Sequence, residues 1–327
     1  MPHDRVFSGL QPTGRLHIGN YFGAVKQWIA LQESHECLYC IVDEHAITVA
    51  QDPKTFGQQT LDAAIDYLAL GVDPETATIF VQSQVPEHTE LAWVFSTLTP
   101  MGELERMTQF KEKAGAKKQR ANAGLFTYPI LMAADILLYH GTLVPVGEDQ
   151  AQHVELTRKI ARWFNNRFGN TFAEPKTKLT KAMRIMSLTD PRKKMSKSAG
   201  EKAYVALNDT PETIRKKIRA AVTATSGGAD ADPGVANLFT LLREVSDAKV
   251  VAFFEDQQRS GKILYAELKD QLARDLITHL ESYRERRKEL AANPEKVKGI
   301  LNNGRERASA IARKTMAEVR ERIGLLR

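Results

Sequence analysis

Cysteine is nearly absent from this chain: Cys37 and Cys40 are the only two in 327 residues. That excludes a disulfide framework, and with no second CxxC there is no four-thiolate zinc site. The pair lies in the apolar run Cys37-Leu38-Tyr39-Cys40-Ile41-Val42. On a strand, residues i and i+3 point to opposite faces. Both are therefore expected to be small buried hydrophobes, and neither a zinc nor an iron–sulfur site is expected. Long hydrophobic runs are missing too. No stretch of about 18 apolar residues occurs, so no transmembrane helix is expected. Met1-Pro2-His3-Asp4-Arg5 carries no signal-peptide core, and the cytoplasm is the expected address. The chain also lacks GxGxxG and GxxxxGKS/T, which disfavours dinucleotide and Walker-type binding. No repeat, low-complexity tract, coiled-coil heptad, Ser-His-Asp arrangement or metal-ligand cluster stands out.

What remains is an ordinary globular composition, 43% hydrophobic and 26% charged, with a formal net charge of +6. The charge is unevenly spread. From Lys176 to Lys202 the basic residues include Lys176, Lys178, Lys181, Arg184, Arg192, Lys193, Lys194 and Lys197, opposed by Asp190 and Glu201 alone. Such a run suits a solvated loop or a polyphosphate contact.

Strand and helix patterns alternate through the first half. Short apolar runs at Val6-Phe7-Ser8, Cys37 to Val42, Thr78 to Val81 and Thr142 to Val146 read as strands. Helical patterns fit Ile18 to Glu33, Pro53 to Leu70, Glu87 to Thr97, Pro129 to Tyr139 and Asp149 to Phe168. The expected fold class is α/β: a Rossmann-like, doubly wound parallel sheet with a smaller all-helical C-terminal domain. Ligands then bind at the carboxyl ends of the strands. After the soft stretch Thr225 to Gly234 the pattern is almost wholly helical. Leu268, Leu272, Leu276, Leu280 and Tyr283 form one apolar stripe; Ala308, Ile311, Ala312, Met316, Val319 and Ile323 form another. Arg284, Arg286, Arg287, Lys288, Arg305, Arg307, Arg313 and Lys314 lie on the opposite faces, which suits a solvated surface or an RNA backbone. The expected division is residues 1–190 as a Rossmann-like catalytic domain and 191–327 as a basic loop followed by a helical region, the last helix a candidate to pack back on the first domain.

Two short motifs carry the chemistry. Pro12-Thr13-Gly14-Arg15-Leu16-His17-Ile18-Gly19-Asn20 stands where a strand turns into a helix. Its glycines let a ligand approach the backbone. The helix start would offer unpaired N–H groups to an anion, and His17 and Asn20, three apart, could both donate to phosphate oxygens. The second motif, Lys194-Met195-Ser196-Lys197-Ser198, brings two ammonium groups and two hydroxyls on a loop. Lysines there suit a phosphate whose charge grows as it leaves. The pair could hold a nucleoside triphosphate from two sides. Magnesium would arrive with the nucleotide.

These motifs resemble the HIGH and KMSKS signatures of class I aminoacyl-tRNA synthetases, with Asn20 in place of the second histidine. Phe7 to Gly14, Ile41 to Thr48, Gly102 to Lys111, Met132 to Tyr139 and Val144 to Gln150 are similar to the bacterial-type tryptophanyl-tRNA synthetases. The resemblance covers nearly the whole chain and is densest from residue 6 to residue 198. It implies tryptophan activation by ATP and transfer to tRNA(Trp), with anticodon binding by the helical region, a homodimer and no membrane partner. It implies ATP contacts at Gln11, Pro12, Thr13, Gly19, Asn20, Gly147, Glu148, Asp149, Ile185, Lys194, Met195, Ser196, Lys197 and Ser198. His17, Asn20, Lys194 and Lys197 would stabilise the departing phosphates. Asp135 would accept a hydrogen bond from the indole N–H, inside a pocket of Phe7, His45, Met132, Val144 and Val146. Tyr128 and Gln150 would meet the α-ammonium group. Lys111 and Arg184 match basic residues near the phosphates. Because indole offers one donor and no acceptor, a smaller apolar amino acid would leave Asp135 unpaired. Ala199 stands where relatives often carry aspartate, and the Thr225 to Gly234 stretch is short for the family. Tyrosine specificity on the same scaffold, a small-molecule nucleotidyltransferase and a non-catalytic RNA-binding paralogue are the alternative readings.

Overall fold

The computed structural model describes residues 4–12, 14–108, 122–147, 150–179, 183–223 and 232–326. It divides into two compact units whose segments interleave. The first holds residues 1–14, 28–180 and 290–327; the second holds 15–27 and 181–289. Two excursions of the chain make this division. One is made by the HIGH-like segment, which pairs its backbone within the second unit. The other is made by the final helix, whose apolar stripe is buried in the first.

The first unit is built on five parallel strands: β1 (Arg5–Leu10), β2 (Glu36–Ile41), β3 (Thr78–Val81), β4 (Leu143–Val146) and β5 (Lys176–Leu179), in the order β3-β2-β1-β4-β5. Val6 pairs with Cys37 on one side and Leu143 on the other, so β1 is central. The order runs outward in both directions from β1 and β4. Their carboxyl ends therefore form the crevice where a doubly wound sheet binds ligands. In β2 every residue after Glu36 is buried, as expected of a strand covered on both faces. Cys37 and Cys40 are buried free thiols. β5 was not foreseen, because Lys176 and Lys178 read as loop; lysines are common on an edge strand, where they discourage further pairing.

The helices of this unit include α4 (Phe56–Leu70), α5 (Glu87–Ser96), α7 (Ala123–Leu138), α8 (Ala151–Phe168) and α14 (Pro294–Ile323). Three shorter ones are α2 (Lys26–Ala30), α3 (Asp43–Ala46) and α6 (Met101–Glu105). α7 begins six residues before the expected start at Pro129. The Asn122 side chain accepts from the Leu125 N–H at 2.8 Å and caps it. Pro129 sits inside the helix, where burial of Leu125, Ile130, Ala133, Ala134 and Ile136 outweighs one lost backbone bond. α14 runs along β3. Gly304 makes this approach: a Cβ there would fall 1.8 Å from the Ile79 carbonyl oxygen. Ala308, Ala312, Met316 and Val319 join Phe80 and Phe95 in one core. Arg307 donates to the carbonyls of Pro74 and Ala77 at 2.7 and 2.8 Å. That guanidinium, expected on a face suited to solvent or an RNA backbone, ties the helix to the turn before β3.

The second unit contains the short helix α1 (Ile18–Asn20), which continues through the π-turn Tyr21–Val25. Its other helices are α9 (Pro211–Arg219), α10 (Pro233–Val245), α11 (Ala248–Arg259) and α12 (Tyr265–His279), with most of α13 (Glu281–Ala292). Leu268, Leu272 and Leu276 of α12 are fully buried, as are Ile214 and Ile218 of α9. Among the described residues, no helix is long and apolar enough to cross a membrane.

Candidate active site

In the first unit, the ends of β1 and β4 open onto a cavity of about 280 Å³. Phe7, His45, Tyr128, Met132, Asp135, Val144, Val146 and Gln150, all expected around an amino acid, line it together with Gln11 and Gly147. Ser8 and Gly9, at the end of β1, line it too, as do Trp28, Val42 and Ile136, which were not foreseen. Pro12 is buried close by in sequence. Thr13, Glu148, Asp149 and Lys111 lie outside the described residues.

Asp135 projects from α7 and is only 1% exposed. One oxygen, Oδ2, accepts from His45 Nε2 at 2.7 Å. The other, Oδ1, accepts from Gln82 Nε2 at 2.7 Å and from His88 Nδ1 at 2.6 Å. Burial works to raise this carboxyl's pKa, but the His45 and His88 imidazoles outweigh it and hold it down at about 2. Asp135 is thus an ionised acceptor. The expectation that a wrong amino acid leaves it unpaired is corrected, since three protein donors already serve it. Gln82 and His88 are both fully buried. Gln82 follows β3 at a strand end visible in the sequence, whereas nothing local marks His88, on the first turn of α5. Tyr128 donates to or accepts from His153 Nε2 at 2.7 Å, which anchors its ring at the cavity wall.

The phosphate motifs meet within the second unit. Residues 16–18 run antiparallel to 205–207: Ile18 N–H donates to Val205 O at 3.0 Å and Leu207 N–H to Leu16 O at 2.9 Å. Met186 bridges Lys194, and Met195 N–H donates to Ile185 O at 3.0 Å, so Ile185 backs the KMSKS loop. Gly19 faces that loop. A Cβ on it would lie 3.0 Å from His17 Nδ1 and 3.3 Å from Met195 Cβ. Lys194, Lys197 and Ser198 are exposed, Met195 is buried, and Ser196 Oγ lies 2.8 Å from Ser198 Oγ. Arg184 is exposed in the same unit.

His17 is buried and caps α1. Its Nδ1 accepts from Asn20 N–H at 3.2 Å, while Asn20 Oδ1 accepts from His17 N–H at 3.3 Å. Burial first, then the charges of Lys197 and Lys194, lower its pKa to about 4. At neutral pH the imidazole is uncharged, and with Nδ1 accepting, Nε2 carries the proton as donor. The sequence reading of the helix start needs correction here. The Ile18 N–H donates to Val205 O and the Asn20 N–H to His17 Nδ1, so these two helix-start groups are already bonded within the protein.

Comparison with known proteins bears on these two sites. A family model described as tRNA synthetases class I (W and Y) matches residues 2–281. The Tryptophan--tRNA ligase 2 of Streptomyces avermitilis is 47% identical over 98% of this chain and 97% of its own length. The Tryptophan--tRNA ligase of Caldanaerobacter subterraneus subsp. tengcongensis is also 47% identical, over 98% of each. The crystal structure of tryptophanyl-tRNA synthetase from Campylobacter jejuni, complexed with ADP and tryptophan, superposes with a TM-score of 0.87 at 38% identity, covering 98% of this chain and 100% of that one. With matches of this length, the chain belongs to the class I tRNA synthetases (W and Y), and within them to the tryptophan--tRNA ligase family.

Proposed function

We propose that the protein activates L-tryptophan with ATP and transfers it to tRNA(Trp). The observation that carries the reading is the 280 Å³ apolar cavity with one ionised, buried carboxylate in its wall. The indole packs against Phe7, Met132, Val144 and Val146, and its N–H meets Asp135. Tyr128 and Gln150 meet the α-ammonium. The substrate carboxylate, already an anion, attacks the α-phosphorus of ATP. The P–O bond to the β-phosphate breaks, pyrophosphate leaves, and tryptophanyl-adenylate remains.

No general base is required, so the task is charge stabilisation. Lys194 and Lys197 take the growing charge on the leaving phosphates. His17 Nε2–H and the Asn20 amide add neutral donors. Gln11, Pro12, Thr13, Gly19, Gly147, Glu148, Asp149, Ile185, Met195, Ser196 and Ser198 make up the remaining ATP contacts. Magnesium enters with the nucleotide, held by phosphate oxygens and water. The tRNA 3′-terminal adenosine then attacks the adenylate carbonyl through its 2′-OH, giving tryptophanyl-tRNA and AMP.

The helical residues from 191 onward read the tRNA, and the enzyme works in the cytoplasm as a homodimer. Exposed Trp93 (72%) and Met101 (63%) are apolar surface that a second copy would cover. The tyrosine alternative is set aside, because the relatives at 47% identity are tryptophan ligases. Amino-acid-dependent ATP–pyrophosphate exchange across all twenty amino acids tests the reading: exchange should follow tryptophan. No exchange, or exchange with another amino acid, rejects it.

A further inference from the structure

Behind the cavity wall lies a chain of buried polar groups that do not line the cavity themselves. His88 is held at both ring nitrogens: Nδ1 lies 2.6 Å from Asp135 Oδ1 and Nε2 lies 2.7 Å from the Tyr139 hydroxyl. Both residues are 0% exposed. The carboxylate can only accept, so His88 donates from Nδ1. Nε2 and the Tyr139 hydroxyl then share the second hydrogen bond. The Tyr139 ring is fixed separately, stacked on Phe7 at 5.8 Å and edge-on to Phe80 at 5.4 Å. Phe7 is a cavity wall, so the same ring braces the wall and orients the relay.

A carboxylate has about four acceptor positions. Gln82 and His88 fill two on Oδ1, and His45 fills one on Oδ2. Among the described residues one position remains, on the oxygen shared with His45, and both Asp135 and His45 line the cavity. We propose that Tyr139, His88 and Gln82 are positioning residues that lock Asp135 in an orientation with a single acceptor site open to the ligand, so that the pocket reads one N–H and no more. This rests on the tryptophan reading above and deepens it. Discrimination is assigned to the relay behind the carboxylate as well as to the carboxylate.

The test pairs protein variants with ligand variants. Tyr139→Phe removes only the hydroxyl and keeps the ring stack. His88→Ala removes the link, and His88→Asn restores a donor near the Nδ1 position. Each full-length variant is titrated with L-tryptophan and with 3-benzothienyl-L-alanine, which has sulfur in place of the indole N–H. Tyr139→Phe should weaken tryptophan binding about tenfold, as for the net loss of one hydrogen bond. It should leave benzothienylalanine binding within about twofold and kcat at saturating tryptophan little changed. His88→Ala should behave alike, with partial rescue in His88→Asn. Equal loss for both ligands would mean packing alone and overturn the proposal, as would no loss for either. If His88→Ala does not fold, Tyr139→Phe decides the matter. Absence of tryptophan-dependent exchange in the unmodified protein rejects the parent reading instead, a different outcome.

Discussion

At the cavity of the first unit the recognition group is buried and committed: Asp135 in the wall and Gln82 and His88 behind it are at most 1% exposed, and both donate to its carboxylate. Around the paired motifs of the second unit the charges stand in the open. Lys194 and Lys197 are exposed, whereas His17, whose imidazole feels their charge, is buried. The two arrangements suit different tasks. A side chain is recognised best by fixed donors and acceptors in a dry cavity, where a mismatch is costly. A leaving phosphate needs charge that can follow it, which flexible ammonium groups supply. The contrast predicts that substitutions in the first unit change binding and those in the second change rate.

The largest effect is expected at Lys197. Lys197→Ala should lower kcat for adenylate formation by roughly 10²–10³-fold, with little change in tryptophan KM. Single-turnover quench separates the two, and an equal loss in both would erase the distinction drawn between the units. Asp135→Asn comes next and should raise tryptophan KM by roughly 10–100-fold, with a smaller effect on kcat. The same residue sets an acid limit. Its folded pKa, about 2, lies below the ordinary value of 3.8, so its stabilising contribution is complete above about pH 4. It is lost as pH falls from there through about 2. Urea denaturation across that window should show a shallower pH slope in Asp135→Asn than in the parent.

A subtler effect concerns His17. Its pKa of about 4 is below the free value of 6.5, so the folded chain resists a proton that the unfolded chain takes up. Stability should therefore fall as pH drops from about 6.5 to 4, a slope that His17→Asn should reduce. The rate should show no break assignable to His17 between pH 5 and 8; an NMR titration of the imidazole near 6.5 would contradict the geometry. The smallest effect is at the surface. Arg320 pairs with Glu90, Nε to Oε1 at 2.7 Å, and both are well exposed. Arg320→Ala should cost under about 1 kcal/mol by thermal melting and leave exchange unchanged.

Much of the first unit was legible because its strands are buried on both faces and so read as continuous apolar runs. The central strand pair Arg5–Leu10 and Glu36–Ile41 is the clearest case. β5 was illegible, since an edge strand of alternating lysine and threonine leaves no apolar signal. Pro129 misled because proline favours helix starts, and only the Asn122 cap shows the true beginning. The cavity-lining residues were found by family likeness, but the donors behind Asp135 come from the end of β3 and from α5. Long-range contacts of that kind have no local pattern. His17 and Asn20 were marked as ligands, while their mutual capping was missed, because a histidine at the N-cap lies outside the usual Ser, Thr, Asp and Asn preference.

The return of α14 to β3 has a consequence for biosynthesis. Gly304 cannot reach Ile79 until translation has passed through all of residues 181–289. While the ribosome is making that insert, the core that holds Phe80 still lacks Ala308 and Met316. The nascent chain therefore carries β3 without the part of its apolar cover that α14 supplies for most of its synthesis, a window in which chaperone protection matters most.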